Sequence, residues 1–152
     1  MVAVIRPSSW NPLLFIHIFG AMLLVATMVL AIYSLVLARR RGDEPATRFA
    51  FRTLLMGVLP AYIVMRVGAQ LIVDKEKLSD SKATWIGIGF GASDFGALLL
   101  LAMIVLTGLA LRSAKQGTAI KGATRLTIAA VLSGLVMVLY VVAIYAMTAK
   151  PA

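Results

Sequence analysis

In three apolar segments of this chain an ionisable side chain lies at a similar distance from one end of the segment. These side chains are His17, which is the only histidine, Arg66 and Asp94. A charge at the centre of a membrane helix costs about 2.5–3.5 kcal/mol, so residues of this kind are candidates for function by default. The chemistry open to them is ion pairing, proton transfer and, for the histidine, ligation of haem iron.

Arg66 and Asp94 have opposite charges and lie in neighbouring segments. We expect their side chains to meet as a charge-assisted hydrogen bond, which recovers much of the cost of burying either charge. Gln70 follows Arg66 by one helical turn, and Tyr140 lies at a comparable depth in the last segment. The sequence therefore predicts one buried polar site formed by Arg66, Asp94, His17, Gln70 and Tyr140. This site either clamps two helices together or binds a ligand or a proton, and the sequence leaves both interpretations open.

His17 allows three interpretations. Gly20 and Ala21 follow it by one turn and would admit the edge of a porphyrin, which makes His17 a candidate ligand of haem b. One histidine cannot give bis-histidine ligation, so a second ligand such as Met22, a lysine or a partner subunit would be needed. Alternatively, His17 hydrogen-bonds to Asp94 or a tyrosine, or titrates as a proton carrier. The third interpretation is a histidine that reaches toward lipid headgroups.

Four apolar segments must position these side chains. The chain has 152 residues, is 61% hydrophobic and has a mean hydropathy of +0.97. The segments are residues 12–38, 49–73, 85–111 and 126–148. Each can cross about 30 Å of hydrocarbon as a helix, the form in which backbone groups satisfy one another in lipid. The sequence predicts an all-α membrane protein, an antiparallel four-transmembrane-helix bundle that forms a single domain over residues 1–152.

Composition excludes several functional classes. The chain has no cysteine, which excludes disulfides, thiol catalysis and iron–sulfur clusters. The net charge of +9 comes from basic residues in short loops, which indicates topology and contact with anionic lipid and not nucleic-acid binding. The sequence contains neither a nucleophile with a base and an orienting group nor the spacing of a metal site. This pattern favours a protein without enzymatic activity.

The charges of the loops predict the orientation. The loops at residues 39–48 and 112–125 are strongly basic, so we expect both in the cytoplasm and both termini outside. Trp10 and Trp85 fall at the outer ends of the first and third segments, where indole rings prefer to lie. We expect the membrane to be the bacterial cytoplasmic membrane.

Small residues open the third segment. Gly87 and Gly91, and likewise Ala92 and Gly96, are spaced so that another helix can approach closely. The pattern is typical of tight packing within one chain, of a dimer interface or of room for a flat cofactor. Gly87, Gly91 and Gly96 are the predicted positions for self-association or for contact with other membrane subunits.

Two resemblances add to these observations. Residues 16–21 (IHIFGA) resemble the opening of the copper-resistance D-type membrane domain and of the membrane protoporphyrinogen oxidase, which implies haem or copper near His17. Most of the chain is similar to four-span bacterial integral membrane proteins of unknown function, through residues 59–62 with Arg66, 85–90 and 146–151. The second resemblance implies a topology but no particular function. From the residues we expect a small integral membrane protein without enzymatic activity, with its buried polar site in the outer half of the bundle, that serves as an accessory subunit of a larger membrane complex. The alternatives are a haem-binding redox protein that uses His17 and an oligomeric ion or proton transporter that uses Asp94.

Overall fold

The computed structural model describes residues 12–75 and 84–149, and every regular element in these ranges is helical. The helices are α1 (Pro12–Arg41), α2 (Glu44–Arg52), α3 (Leu59–Lys75), α4 (Thr84–Lys115) and α5 (Ala119–Ala149). A π-helical turn (Thr53–Val58) joins α2 to α3, so Glu44–Lys75 is one helical segment of 32 residues. Trp10 lies outside the described residues, as does the side chain of Trp85.

Within the described residues, four helical segments are long and apolar enough to cross a membrane: Pro12–Arg41, Glu44–Lys75, Ile86–Lys115 and Gly122–Thr148. Large apolar side chains cover their outward faces; Met56, for example, is 74% exposed. Soluble proteins rarely expose apolar surface on this scale. The prediction of an all-α, membrane-like fold with four long apolar helices is confirmed, and the helices extend beyond the predicted segments into the basic residues that follow the first and third.

The helices pack in a defined set of neighbours. α1 lies along α3 and the π-helical turn on one side and along α5 on the other, and α4 packs against α5 and α2. Met28, Leu35, Leu54, Leu100 and Met103 form the fully buried centre of the core. Within the described residues α3 scarcely touches α4, so these two helices leave an open cleft between them.

α1 and α3 approach each other at two glycines. A Cβ atom on Gly20 would lie only 2.5 Å from the backbone nitrogen of Met65 and 2.7 Å from its Cα. A Cβ atom on Gly68 would lie 2.9 Å from both the Cα and the backbone nitrogen of His17. Backbone atoms cannot move aside as the end of a side chain can, so both positions require glycine for this packing.

A wide turn precedes the proline of the second segment. In the π-helical turn the N–H of Leu59 donates to the carbonyl of Leu54, five residues earlier. Pro60 follows at once and has no N–H of its own. A proline ring clashes with the carbonyl four residues before it in a regular α-helix, and a widened turn relieves that clash.

The first short loop is fixed by a helix cap. Gly42 has a positive φ of 65°, which ends α1 and reverses the chain. The Asp43 carboxylate then accepts a hydrogen bond of 3.0 Å from the N–H of Ala46, with Pro45 in the first turn of α2. Arg48 and Glu44 pair one turn apart on the exposed surface of α2.

The second short loop is fixed by a buried arginine contact. Gly117 has a positive φ of 71° after the end of α4. Arg125 of α5 then donates to the Leu109 carbonyl at 3.0 Å and to the Ser113 hydroxyl at 2.7 Å. The arginine therefore holds the start of α5 against the last two turns of α4.

Candidate functional site

Arg66 and Asp94 form an ion pair across the cleft between α3 and α4. Nη2 of Arg66 donates to Oδ1 of Asp94 at 2.7 Å, as the opposite charges predict. The guanidinium carbon of Arg66 also lies 4.3 Å from the centre of the Phe90 ring. A cation over an aromatic face gains about 0.5–2 kcal/mol, so Phe90 of α4 gives the arginine a second anchor on the same helix as Asp94.

This ion pair faces outward and is not buried. The side chain of Asp94 is 61% exposed, whereas that of Arg66 is 26% exposed. The reason is that α3 and α4 scarcely touch, so the pair bridges the rim of the cleft and leaves the carboxylate at its surface. The structure thus pairs the two residues that the sequence matches by charge, but it places the carboxylate at the surface of the helices and not between them.

The other three residues of the predicted site lie elsewhere. Gln70 donates to Asp74 at 3.1 Å along its own helix. His17 contacts the Met65 carbonyl and lines a cavity together with Tyr140. The single polar site expected from the sequence is therefore divided into the outward ion pair and an internal group around His17 and Tyr140, and Gln70 belongs to neither.

The internal group surrounds a cavity of about 70 Å³, which we call the inner pocket. Residues from four helices line it: His17, Ala21, Leu24, Val25, Met65, Gly89, Ser93, Tyr140, Ala143, Ile144 and Met147. Tyr140 is 5% exposed and Ser93 is 7% exposed. The hydroxyl oxygens of both are buried and have no hydrogen-bond partner among the described residues.

The hydrogen bond of His17 fixes its tautomer. Its Nδ1 lies 2.9 Å from the carbonyl oxygen of Met65. A carbonyl oxygen only accepts, so Nδ1 must bear the proton and donate it. In the neutral ring Nε2 is then left with a free lone pair. The same arrangement, with one ring nitrogen donating to a carbonyl, prepares the other nitrogen to accept a proton or a ligand.

The surroundings of His17 do not fit a haem. The inner pocket is less than half the volume of a cavity that holds benzene, about 150 Å³, and a porphyrin is far larger. Gly20, which was expected to admit the porphyrin edge, is instead covered by the Met65 backbone. Nor do the described residues contain a group of three or more His, Cys, Asp or Glu that could hold a metal ion.

The glycines of α4 divide between two faces. Within the described residues, a Cβ atom on Gly87 or Gly91 would meet nothing within 4 Å. A Cβ on Gly96 would meet the Tyr140 hydroxyl at 2.8 Å, so Gly96 belongs to the packing inside the chain. Gly96 therefore cannot serve the predicted self-association, whereas Gly87 and Gly91 remain open.

Gly87 and Gly91 belong to a regular exposed stripe on α4, which we call the open face. Its members recur at alternating spacings of four and three residues and are all exposed: Gly87, Gly91, Asp94, Leu98 and Leu101. This spacing is the one with which a helix presents a seam to a neighbouring helix. The open face thus combines the Asp94 carboxylate with two glycines on one side of it and two leucines on the other.

Sequence reasoning missed Phe90, Met65 and Gly68. Phe90 lies one turn before Asp94 and had a recognisable signal, since an aromatic ring near an arginine is a common anchor. The role of Met65 is played by its backbone carbonyl, which no side-chain pattern reveals. Gly68 had only its size as a signal.

Comparison with known proteins adds nothing to this geometry. No protein-family model, no curated protein and no solved structure matches the chain. Its function therefore has to be argued from the ion pair, the inner pocket and the open face.

Proposed function

We propose that this chain is a non-enzymatic accessory subunit of a bacterial cytoplasmic membrane complex. It crosses the membrane four times as an antiparallel bundle, with both termini outside and the loops at 39–48 and 112–125 in the cytoplasm. Its open face docks a transmembrane helix of a different protein. The observation that supports this function is the exposed carboxylate of Asp94, which is the only charged side chain of α4 before Arg112.

The position of Asp94 makes an uncovered open face unfavourable. Asp94 lies eight residues after Ile86, where the apolar part of α4 begins, which is about 12 Å along the helix at roughly 1.5 Å per residue. At that depth an exposed carboxylate faces hydrocarbon, at a cost of about 2.5–3.5 kcal/mol when it is unpaired. The hydrogen bond from Arg66 uses one oxygen and offsets part of this cost. A covering helix would remove the rest.

The charges of the open face indicate the chemistry of the partner. The acidic member of the pair is the more exposed one, so the group that remains to be satisfied is a hydrogen-bond acceptor. The complement is a helix with a donor side chain at the same depth. A second copy of this chain would offer Arg66, whose guanidinium already contacts Asp94 and Phe90. Charge complementarity thus favours another protein.

Photo-crosslinking in native membranes tests the docking. A crosslinking amino acid in place of Leu98, on the open face, should give one product of defined mass. The same amino acid in place of Val138, exposed on α5, should give none. Gly91→Leu should abolish the Leu98 product because it fills the approach surface, whereas Gly134→Leu should not, since Gly134 is also open but lies on α5.

The masses of the crosslinked products decide between the possible occupants. A product whose added mass is that of a different protein supports the proposal. A product of about twice 16.2 kDa would show a second copy on the open face and overturn the choice of partner. The absence of any protein product at Leu98, with a folded chain in the membrane, would overturn docking altogether.

Reporter fusions test the orientation. We expect alkaline phosphatase, which is active only outside the cytoplasm, to be active when fused after Pro151 and inactive when inserted after Gly42. We expect the two basic loops in the cytoplasm because positively charged residues in short loops beside membrane spans favour the cytoplasmic side. Activity of the Gly42 insertion together with inactivity of the Pro151 fusion would reverse the orientation.

A further inference from the structure

The inner pocket contains two hydroxyl groups that lack partners. Ser93 and Tyr140 are both more than nine-tenths buried, and neither hydroxyl oxygen has a hydrogen-bond partner among the described residues. Buried polar side chains in folded proteins nearly always have a partner, either a protein atom or an ordered water. Both residues line the same cavity, so one occupant of that cavity can satisfy both.

The size and polarity of the inner pocket match a small amount of water. One water molecule takes about 30 Å³ in the liquid, so the cavity of about 70 Å³ has room for two. A buried water needs two to four polar partners. Ser93 and Tyr140 supply two hydroxyl groups, and His17 supplies a third partner through Nε2, because its Nδ1 is already bonded to Met65.

We propose that the inner pocket binds about two water molecules, which join Ser93, Tyr140 and His17. The water accepts hydrogen bonds from Ser93 and Tyr140 and donates one to Nε2 of His17. Nδ1–H of the same ring donates to the Met65 carbonyl, so the imidazole is held at both of its nitrogens.

Among the described side chains, His17 and Tyr140 are the only ionisable groups that line the inner pocket. α5 presents Tyr140, and α3 presents Tyr62, which lies close enough to Tyr140 to interact with it electrostatically. Arg66 of α3 and Asp94 of α4 are turned toward each other at the open cleft. No carboxylate lines the inner pocket among the described side chains. The site is independent of the docking proposed above, because no residue of the open face lines the inner pocket.

Nitrogen NMR of the protein labelled with ¹⁵N-histidine tests this site, and the single histidine gives a spectrum of one residue. In lipid at neutral pH we expect the tautomer with a proton on Nδ1 and a cross-peak between water and the His17 ring. A proton on Nε2 alone at neutral pH, or a ring without a water cross-peak, would overturn the proposal.

Two matched variants locate the water. Ala143→Leu fills the inner pocket and should abolish the water cross-peak, whereas Ala26→Leu adds the same volume on the exposed face of α1 and should preserve it. If the filled variant does not fold, the double change Ser93→Ala and Tyr140→Phe removes both hydroxyl partners with little change in shape. The cross-peak should then fall several-fold, and an unchanged cross-peak would place the water elsewhere.

Discussion

Replacing Arg66 alone with leucine is expected to lower the yield of folded protein more than replacing Arg66 and Asp94 together. The single change leaves the Asp94 carboxylate, which is 61% exposed, without its only charged partner in the described chain. An unpaired charge at that depth costs about 2.5–3.5 kcal/mol, whereas the double change removes both charges. Asp94→Leu alone should behave like Arg66→Leu. The measurement is the monodisperse fraction after detergent extraction, together with the midpoint of thermal unfolding.

The pair formed by Glu44 and Arg48 is the matched control. It joins the same kinds of side chain but lies on the exposed surface of α2, beside the first loop. Exposed ion pairs contribute about 0–1 kcal/mol, so single and double changes there should differ little. Losses at Arg66 and Asp94 that simply add, as two independent sites do, would mean that the two residues do not stabilise each other.

Gly20→Ala is expected to destabilise the chain by about 1–3 kcal/mol or more, since the methyl group would overlap backbone atoms that cannot adjust alone. The new Cβ would lie 2.5 Å from the Met65 nitrogen, so α1 and α3 would have to separate. Separation should also weaken the hydrogen bond between His17 and the Met65 carbonyl, which spans the same contact. Thermal unfolding in detergent measures the loss of stability.

Gly134→Ala and Gly87→Ala control for the residue type. A Cβ at either position meets nothing within 4 Å in the described residues. Alanine is favoured over glycine inside a helix by about 1 kcal/mol, so these changes should be neutral or stabilising. Equal destabilisation at Gly20, Gly87 and Gly134 would show that the contact between α1 and α3 is not close.

The four long helices could be predicted from the sequence because each depends only on the residues of its own segment. The length of an apolar segment and its lack of charge indicate a helix that can cross a membrane, whatever its neighbours. The ends of the helices do not follow from the apolar residues alone. α1 continues through Arg39, Arg40 and Arg41 because backbone hydrogen bonds extend past the last apolar residue until Gly42 turns the chain.

The candidate site could be predicted only in part, because a sequence gives the depth of a residue more readily than its direction. Arg66 and Asp94 were matched by charge, and the structure pairs them. Ser93 and Asp94 are adjacent and share one depth, yet a helix turns about 100° per residue, so Ser93 lines the inner pocket while Asp94 faces out. Which of the two faces inward depends on how α4 packs against α5.

The contact of His17 depended on an atom that carries no sequence signal. Any residue at position 65 would present a backbone carbonyl, so neither the methionine nor its neighbours indicate that this carbonyl accepts a hydrogen bond from His17. Pro60 predicts a disturbance of the second segment, but not that the disturbance is a π-helical turn. Both features arise from backbone geometry that forms when α1 and α3 meet.

The π-helical turn also determines the direction in which the residues of α3 face around the helix axis. The buried stripe before Val58 recurs every four residues, at Ala46, Ala50, Leu54 and Val58. In a regular α-helix each step of four overshoots a full turn by about 40°, so three such steps would rotate the stripe by about 120° away from α1.

A π-helical turn contains about one residue more than an α-helical turn, so each of its residues rotates the chain less. It therefore cancels most of that rotation. If the same residues formed a regular α-helical turn, α3 would be rotated by about 100°, and both the carbonyl that holds His17 and the guanidinium that holds Asp94 would point elsewhere. The widened turn thus aligns the inner pocket and the outward ion pair at the same time.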